Sequence, residues 1–304
     1  MKHVKNLRIY WLVCLAVLLM GGTSSWAEWK ESPVELEFHT TWAEKGSFEK
    51  AESSQVGIAM VGASMKAHDV TVGYDHIWFE WENANKLPFG DGVNEPWEEL
   101  RKVSLSFDKT IMHTEKWGYF ATAGLESCRE EEVEDSFSGV LFGGAIRRIP
   151  KWNASFHFGG GVLYTPVDVT GIPALGVQWN TQAEKGVSIS VGIPETNVSY
   201  RFNSETVVSL GLELGEGGVY RLANDSVVEK KGYLEIEGYK GVLALGFSPF
   251  KSCTIKLGAT ALFDRAYSLY DEDGKNEKEY ELDDVMGLFF QLQYVFTPYW
   301  RAYL

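Results

Sequence analysis

The sequence predicts an all-β protein, an antiparallel, up-and-down transmembrane β-barrel of about 12 strands. Three observations carry that prediction. Apolar and polar residues alternate with a period of two in segments of about ten residues, against five or six in an ordinary soluble strand. Several apolar faces begin or end on an aromatic residue, as the girdles of a membrane barrel do. The connections between segments alternate long and short, the asymmetry of a barrel with long outer loops and tight inner turns.

The chain opens on a basic stretch, "MKHVKNLR", followed by "IYWLVCLAVLLMG", an apolar run too short to span a bilayer comfortably. Ser25 and Ala27 then occupy the small-residue positions before a cleavage point. Residues 1–27 read as a secretory signal peptide and 28–304 as one barrel domain. No later stretch approaches a transmembrane helix, and no linker or low-complexity segment divides the chain.

The strands follow from alternation. In "WGYFATAGLES", Trp117, Tyr119, Ala121, Ala123 and Leu125 share one face against Thr122, Gly124 and Glu126. "WNASFHFGGGVLY" sets Trp152, Ala154, Phe156, Phe158, Val162 and Tyr164 against Asn153, Ser155, His157 and Gly161. "CTIKLGATALFD" sets Ile255, Leu257, Ala259, Ala261 and Phe263 against Lys256, Gly258 and Thr260. "MGLFFQLQYVF" does the same with Met286, Leu288, Phe290, Leu292, Tyr294 and Phe296 against Gln291 and Gln293. A soluble sandwich would also alternate, but with shorter strands and with Gly in its turns more than on its polar face.

Alternation alone yields thirteen candidates, by our reading of the sequence. A barrel with both ends in the periplasm needs an even number. The weakest candidate is 172–180, "IPALGVQWN", which is short and carries Pro173, so it is assigned to a loop. The long connections are then 44–52, 83–100, 128–135, 166–186, 223–231 and 264–284, and the short ones 66–69, 112–116, 150–151, 203–205 and 249–252. Pro150, Pro249 and Pro298 all fall on the periplasmic rim, where proline presets a turn and needs no ladder partner. The closing strand ends near Phe296, with "TPYWRAYL" as a rim tail that ends on Leu304, not on an aromatic residue.

The signal peptide, the long alternating strands, "GIPETNVSYRF" (192–202) and the Pro–aromatic rim turns together resemble the uncharacterised outer-membrane β-barrel families of Gram-negative bacteria. The resemblance covers nearly the whole mature chain and is architectural. It implies a fold, an outer-membrane location, and lipid and the barrel assembly machinery as partners. It implies no reaction.

The inward face is predicted to carry Glu35, Glu37, His39, Asp75, Asp108, Glu126, His157, Glu213 and Lys256. A pore lined mainly by acids would favour cations; a plug of paired, hydrated polar groups would not conduct. The formal net charge of −14 and the pI near 5.0 exclude nucleic acid as a partner. No "GxSxG" is present, and the Ser155–His157 spacing is one that any strand produces, so no catalytic residue is assigned. His76 and Asp75 are adjacent and point to opposite faces. The acidic run 270–284 fails the spacing of a twelve-residue calcium loop, because Gly274 comes too early. No cofactor and no metal are expected. Cys128 and Cys253 fall at opposite ends of the barrel, too far apart for a disulfide.

Two functions follow: a narrow channel or transporter for small solutes or ions with an acidic polar lumen, or a non-conducting structural barrel whose outer loops bind a partner. For the second, the loop 83–100 offers Phe89 and Trp97 exposed among acids, although it could equally fold over the mouth. A membrane-embedded hydrolase is the weakest reading.

Overall fold

The computed structural model describes residues 33–49, 51–181, 185–193, 195–214 and 217–296. The predicted signal peptide, Pro298 and the C-terminal tail lie outside the described residues. No described helix is long and apolar enough to cross a membrane. In chain order the strands are β1 (Val34–Phe48), β2 (Ala51–Ala67), β3 (Val70–Glu82), β4 (Glu99–Met112), β5 (Trp117–Arg129), β6 (Phe137–Ile149), β7 (Ala154–Tyr164) and β8 (Val169–Asn180). They continue as β9 (Gly186–Gly192), β10 (Glu195–Arg201), β11 (Thr206–Leu214), β12 (Gly218–Arg221), β13 (Tyr233–Phe250), β14 (Cys253–Tyr270), β15 (Lys278–Leu282) and β16 (Val285–Phe296).

Two pairs of these strands are single wall positions broken by a bend. Both β11 and β12 pair with β13, at its lower and upper ends respectively. Both β15 and β16 lie between β14 and β1. The wall therefore runs from β1 to β11, then β13, β14 and β16, and closes from β16 back onto β1 as a barrel of 14 antiparallel strands. Outward-facing Leu36, Phe38, Trp78, Leu243 and Leu288 are all exposed, so the apolar face is the outer one, as in an outer-membrane barrel. Exposed Trp117, Tyr119, Trp152, Phe250 and Tyr294 cluster at the end that carries the tight turns.

The expected count of about 12 is thus corrected to 14, and the parity survives because two misreadings each left out one strand. The segment 172–180 is not a loop but most of β8, whose ladder with β7 runs through Gly160↔Pro173. Pro173 is tolerated because β8 pairs with β9 only from Gly176 downward, which leaves the proline on an edge. The stretch between connections 166–186 and 203–205, expected to be one strand, is a hairpin, β9 against β10. Two long connections also shrink. The one expected over 44–52 is mostly strand, since β1 runs to Phe48 and β2 starts at Ala51, and 264–284 is mostly β14 and β15. In β14 a left-handed residue, Asp264 (φ 53°), shifts the pleat by one, so Phe263 points out while Tyr267 and Leu269 point in.

The upper half is built differently from the lower. After Leu214 the chain leaves the wall, and β12 pairs on one side with β13 and on the other, in parallel, with β5 at Arg221↔Arg129. Glu130 N–H donates to the Arg221 carbonyl (2.9 Å), and Glu130 Oε2 accepts from Ala223 N–H (2.8 Å). At this level β12 short-circuits the ring, so that β1–β5 and β12–β15 enclose a narrower space while β6–β8 stand outside it. That space is filled. Phe48, Val56, Phe79, Trp81, Leu100, Tyr220, Leu222, Leu234, Tyr267 and Leu269 form a buried cluster.

Candidate functional site

Below the plug, the inner faces of β1–β4, β11, β13, β14 and β16 turn polar. Along β3 they read Trp81, Phe79 and Ile77, then Asp75, Gly73 and Thr71; along β2, Val56, Ile58 and Met60, then Gly62, Ser64 and Lys66. The polar part encloses a chamber of about 330 Å³ whose charged lining is Glu37, Asp75 and Glu213 against Lys102, Lys240 and Lys256, with His39 between them. His39 Nε2 lies 3.1 Å from Asp75 Oδ1, its Nδ1 lies 3.6 Å from Glu37 Oε1, and Lys102 Nζ lies 3.8 Å from Asp75 Oδ2.

The His39–Asp75 contact crosses β2. His39 is opposite Gly62, and Gly62 is opposite Asp75, so a contact between two strands that are not neighbours passes over the middle one. Gly62 makes this possible, because a Cβ there would sit 2.2 Å from both His39 Nε2 and Asp75 Oδ1. The same device recurs where the inner face is apolar. A Cβ on Gly161 would strike the Phe142 ring at 2.6 Å, and one on Gly144 the Phe120 ring at 2.7 Å. Glycine on the inner face is thus where a ring or a head group from the next strand lies flat.

Phe120 and Phe142 belong to a second chamber, about 550 Å³, on the β4–β8 side. Its lining is mainly apolar and includes Val140, Leu163, Ile172 and Ala174, with Asp108, Thr122 and Glu126 as polar members. Thr122 Oγ1 donates to Asp108 Oδ1 (2.7 Å). The lumen is therefore two-sided, one flank charged and one flank greasy.

The predicted inward residues divide between these places. Glu37, His39, Asp75, Glu213 and Lys256 line the charged chamber; Asp108 and Glu126 border the apolar one. Glu35 accepts a hydrogen bond from Gln293 Nε2 (2.7 Å) at the lower end of β1. On the inner face of β7, His157 Nε2 lies 3.0 Å from Ser155 Oγ, with the Phe120 ring 6.0 Å from the imidazole and Arg148 across the ladder from Ser155. An arginine and a phenylalanine do not make the orienting acceptor that a nucleophile–base pair uses.

Three expectations are corrected. The charged chamber is not mainly acidic, since Lys102 and Lys240 join Lys256 opposite three carboxylates. Their signal was present in the sequence: Lys102 shares its parity with Asp108, and Lys240 has the parity opposite to that of the outward-facing Leu243. Phe89 (8% exposed) and Trp97 (2%) are not offered to solvent. Their rings stack at 5.9 Å and pack on Trp81 at 6.3 and 5.3 Å, and Trp81 Nε1–H donates to the Trp97 carbonyl (2.7 Å). The loop folds into the mouth as part of the plug. Third, the plug itself was missed: the inner face of β3 carries Ile77, Phe79 and Trp81 in succession, large apolar residues where a lumen-facing strand is expected to be polar.

His76 lies on the outward face, stacked on Trp78 at 4.0 Å and bonded to Glu99 Oε2 at 2.7 Å, away from Asp75. Cys128 is buried, and both it and Cys253 are free. Among the described residues no three His, Cys, Asp or Glu side chains converge as metal ligands.

No family model matches the chain, and no curated protein matches it. Several solved structures are similar to it. One is the COG4313 outer membrane channel from Pseudomonas putida F1, at 7% identity over 90% of this chain and 100% of that one, with a TM-score of 0.43. A second is the KdgM porin in complex with disordered oligogalacturonate, at 7% identity over 86% of this chain and 99% of that one, TM-score 0.34. A third is the outer membrane protease OmpT from Escherichia coli, at 9% identity over 88% of this chain and 97% of that one, TM-score 0.28. Likenesses this distant bring no function with them.

Proposed function

We propose that the protein is an outer-membrane transport barrel for small molecules whose outer mouth is closed in the resting state. One observation carries the reading. A chamber lined by paired charges sits inside a lipid-facing wall, directly beneath an aromatic plug that includes loop residues Phe89 and Trp97. The exposed apolar outer face supports a place among membrane lipids, and the tight turns at one end support the periplasmic orientation. Insertion by the barrel assembly machinery belongs to the same reading. The surface-interaction alternative loses its residues, because the aromatic side chains offered for it are in the plug.

The plug makes the reading testable by electrical measurement. In planar bilayers the full chain is expected to show small, infrequent conductance, and the double variant Phe89→Ala, Trp97→Ala to conduct more readily. A wild-type protein that conducts steadily would remove the closed mouth from the proposal. A double variant that retains its fold and stays silent would remove the channel.

A further inference from the structure

The upper half of the wall has a gap. Leu175 accepts a hydrogen bond from Ile193 N–H at the β9–β10 turn (3.3 Å). Above that point, among the described residues, nothing pairs with β8 on this side over 169–174, because β9 and β10 stop and β12 has turned inward. In an antiparallel strand, alternate residues aim their backbone groups to the same side. Gly171 and Pro173 therefore aim with Leu175 toward the gap. Pro173 removes one donor from this edge and leaves its carbonyl, so the edge is rich in acceptors. A free sheet edge is not tolerated against hydrocarbon unless it lines a cavity.

It does line one. Ile172 and Ala174 of this stretch line the apolar chamber. Beside that chamber, between β5 and β7 and the outer face of β13, runs a cleft of about 670 Å³ whose lining includes Thr165, Val219, Glu235 and Glu237. The cleft and the apolar chamber share Glu126 and Leu163, so the two spaces adjoin. Tyr270 Oη–H holds the Glu235 carboxylate from behind (2.8 Å). A chamber of this size and character falls in the range of roughly 300–1,000 Å³ that takes small ligands.

We infer that the gap between the free edge of β8 and β13 is a side entrance through which single-chain amphiphiles with a cationic head pass from the outer leaflet into the apolar chamber. The hydrocarbon tail lies against Phe120, Phe142 and Ile172. The head lies at Glu126, drawn along a cleft where carboxylates such as Glu235, Glu237, Asp264 and Glu281 outnumber the one guanidinium, Arg265. This inference deepens the transport reading and rests on it: the axial mouth is closed by the plug, and the side is where an apolar passenger can enter.

The test uses the full chain in proteoliposomes and a dodecylammonium probe carrying a mid-chain diazirine, photolysed and mapped by peptide mass spectrometry. Label on Phe120 or Phe142, which face inward, is the expected result, beside background label on the lipid-facing Leu175 and Val177. The matching dodecyl sulfate probe is expected to label the inner residues roughly tenfold less, the size of one lost charge-assisted contact. Ala174→Trp fills the chamber and should abolish the inner label without touching the outer. Should that variant fail to fold, Glu126→Gln serves, and should erase the preference for the cation. Label confined to outward residues, or equal inner label from the sulfate, overturns the inference. Because conductance of the plug variant is read separately, a conducting plug variant with no inner label would sink the side entrance and leave the transport reading standing.

Discussion

At the scale of single residues, Gly62 carries more than its size suggests. Replacing it with Ala places a methyl group 2.2 Å from both partners of the His39–Asp75 contact, so one of them must leave. Gly62→Ala is expected to cost roughly 1–3 kcal/mol, the range for a buried charge-assisted hydrogen bond that is broken on one side. Urea titration of the unboiled gel band against the wild type would measure it, and a change within error would mean that the contact contributes nothing. Glu130 offers a pH-dependent counterpart outside the membrane-spanning segments. Burial, more than its acidic neighbours, holds its carboxyl above the ordinary 4.5 in the folded protein, opposed by the Ala223 N–H bond. The folded state then binds the proton more tightly than the unfolded one, so stability is fully present below 4.5 and falls as pH rises from there through the raised value. Glu130→Gln should flatten that decline, with the variant gaining on the wild type as pH rises above 4.5 in the same titration. A constant difference across the range would contradict it. The inward set was legible from parity because each residue sits in a regular strand. The partnership of His39 with Asp75 was not, since it depends on which strand lies between them.

At the scale of elements, β8 shows how a sound local rule misfires. Proline does remove a ladder donor, and that rule demotes 172–180 from the wall. Whether the donor is needed depends on the neighbour's length, which lies in another part of the chain. Its neighbour is the short hairpin of β9 and β10, itself hidden because both halves of Gly186–Arg201 alternate and only a change of phase, from Val187, Ile189 and Val191 to Val198 and Tyr200, marks the turn. The consequence is measurable. Pro173→Ala should shift stability by no more than roughly 0.5 kcal/mol, as at a surface site. Val177→Pro, four residues on, where β8 is paired with both Phe156 on β7 and Val191 on β9, should cost about 3 kcal/mol. Similar losses at the two positions would mean that the upper edge of β8 is paired after all. The bulge at Asp264 escaped for a related reason. Its face switch makes the residues after Phe263 read as a loop when alternation is followed in fixed phase, although the strand continues to Tyr270.

At the scale of the whole molecule, the two halves of the barrel are held by different means and should come apart separately. The lower ring is closed by backbone ladders all the way round, from β1 to β16, so no strand can leave without breaking two ladders. The upper enclosure closes through β12, four residues long, whose pairing with β5 is the single position Arg221↔Arg129, supported by Glu130 and by side-chain packing. Local opening follows the weaker closure. Hydrogen exchange in detergent should therefore release the amides of Val219–Arg221 and Leu222 well before those of β5 and β6, which pair along eleven positions from Trp117↔Arg147 to Ser127↔Phe137. Trp97→Ala removes a side chain only 2% exposed and should take roughly 3–5 kcal/mol from the plug. If the storeys are separable, that loss accelerates exchange at β12 while β5, β6 and the heat-dependent gel mobility stay as they were. If exchange quickens everywhere by the same factor, plug and ring form one cooperative unit. The mouth could then open only by loosening the wall itself, and a closed outer gate within a standing barrel would have to be given up.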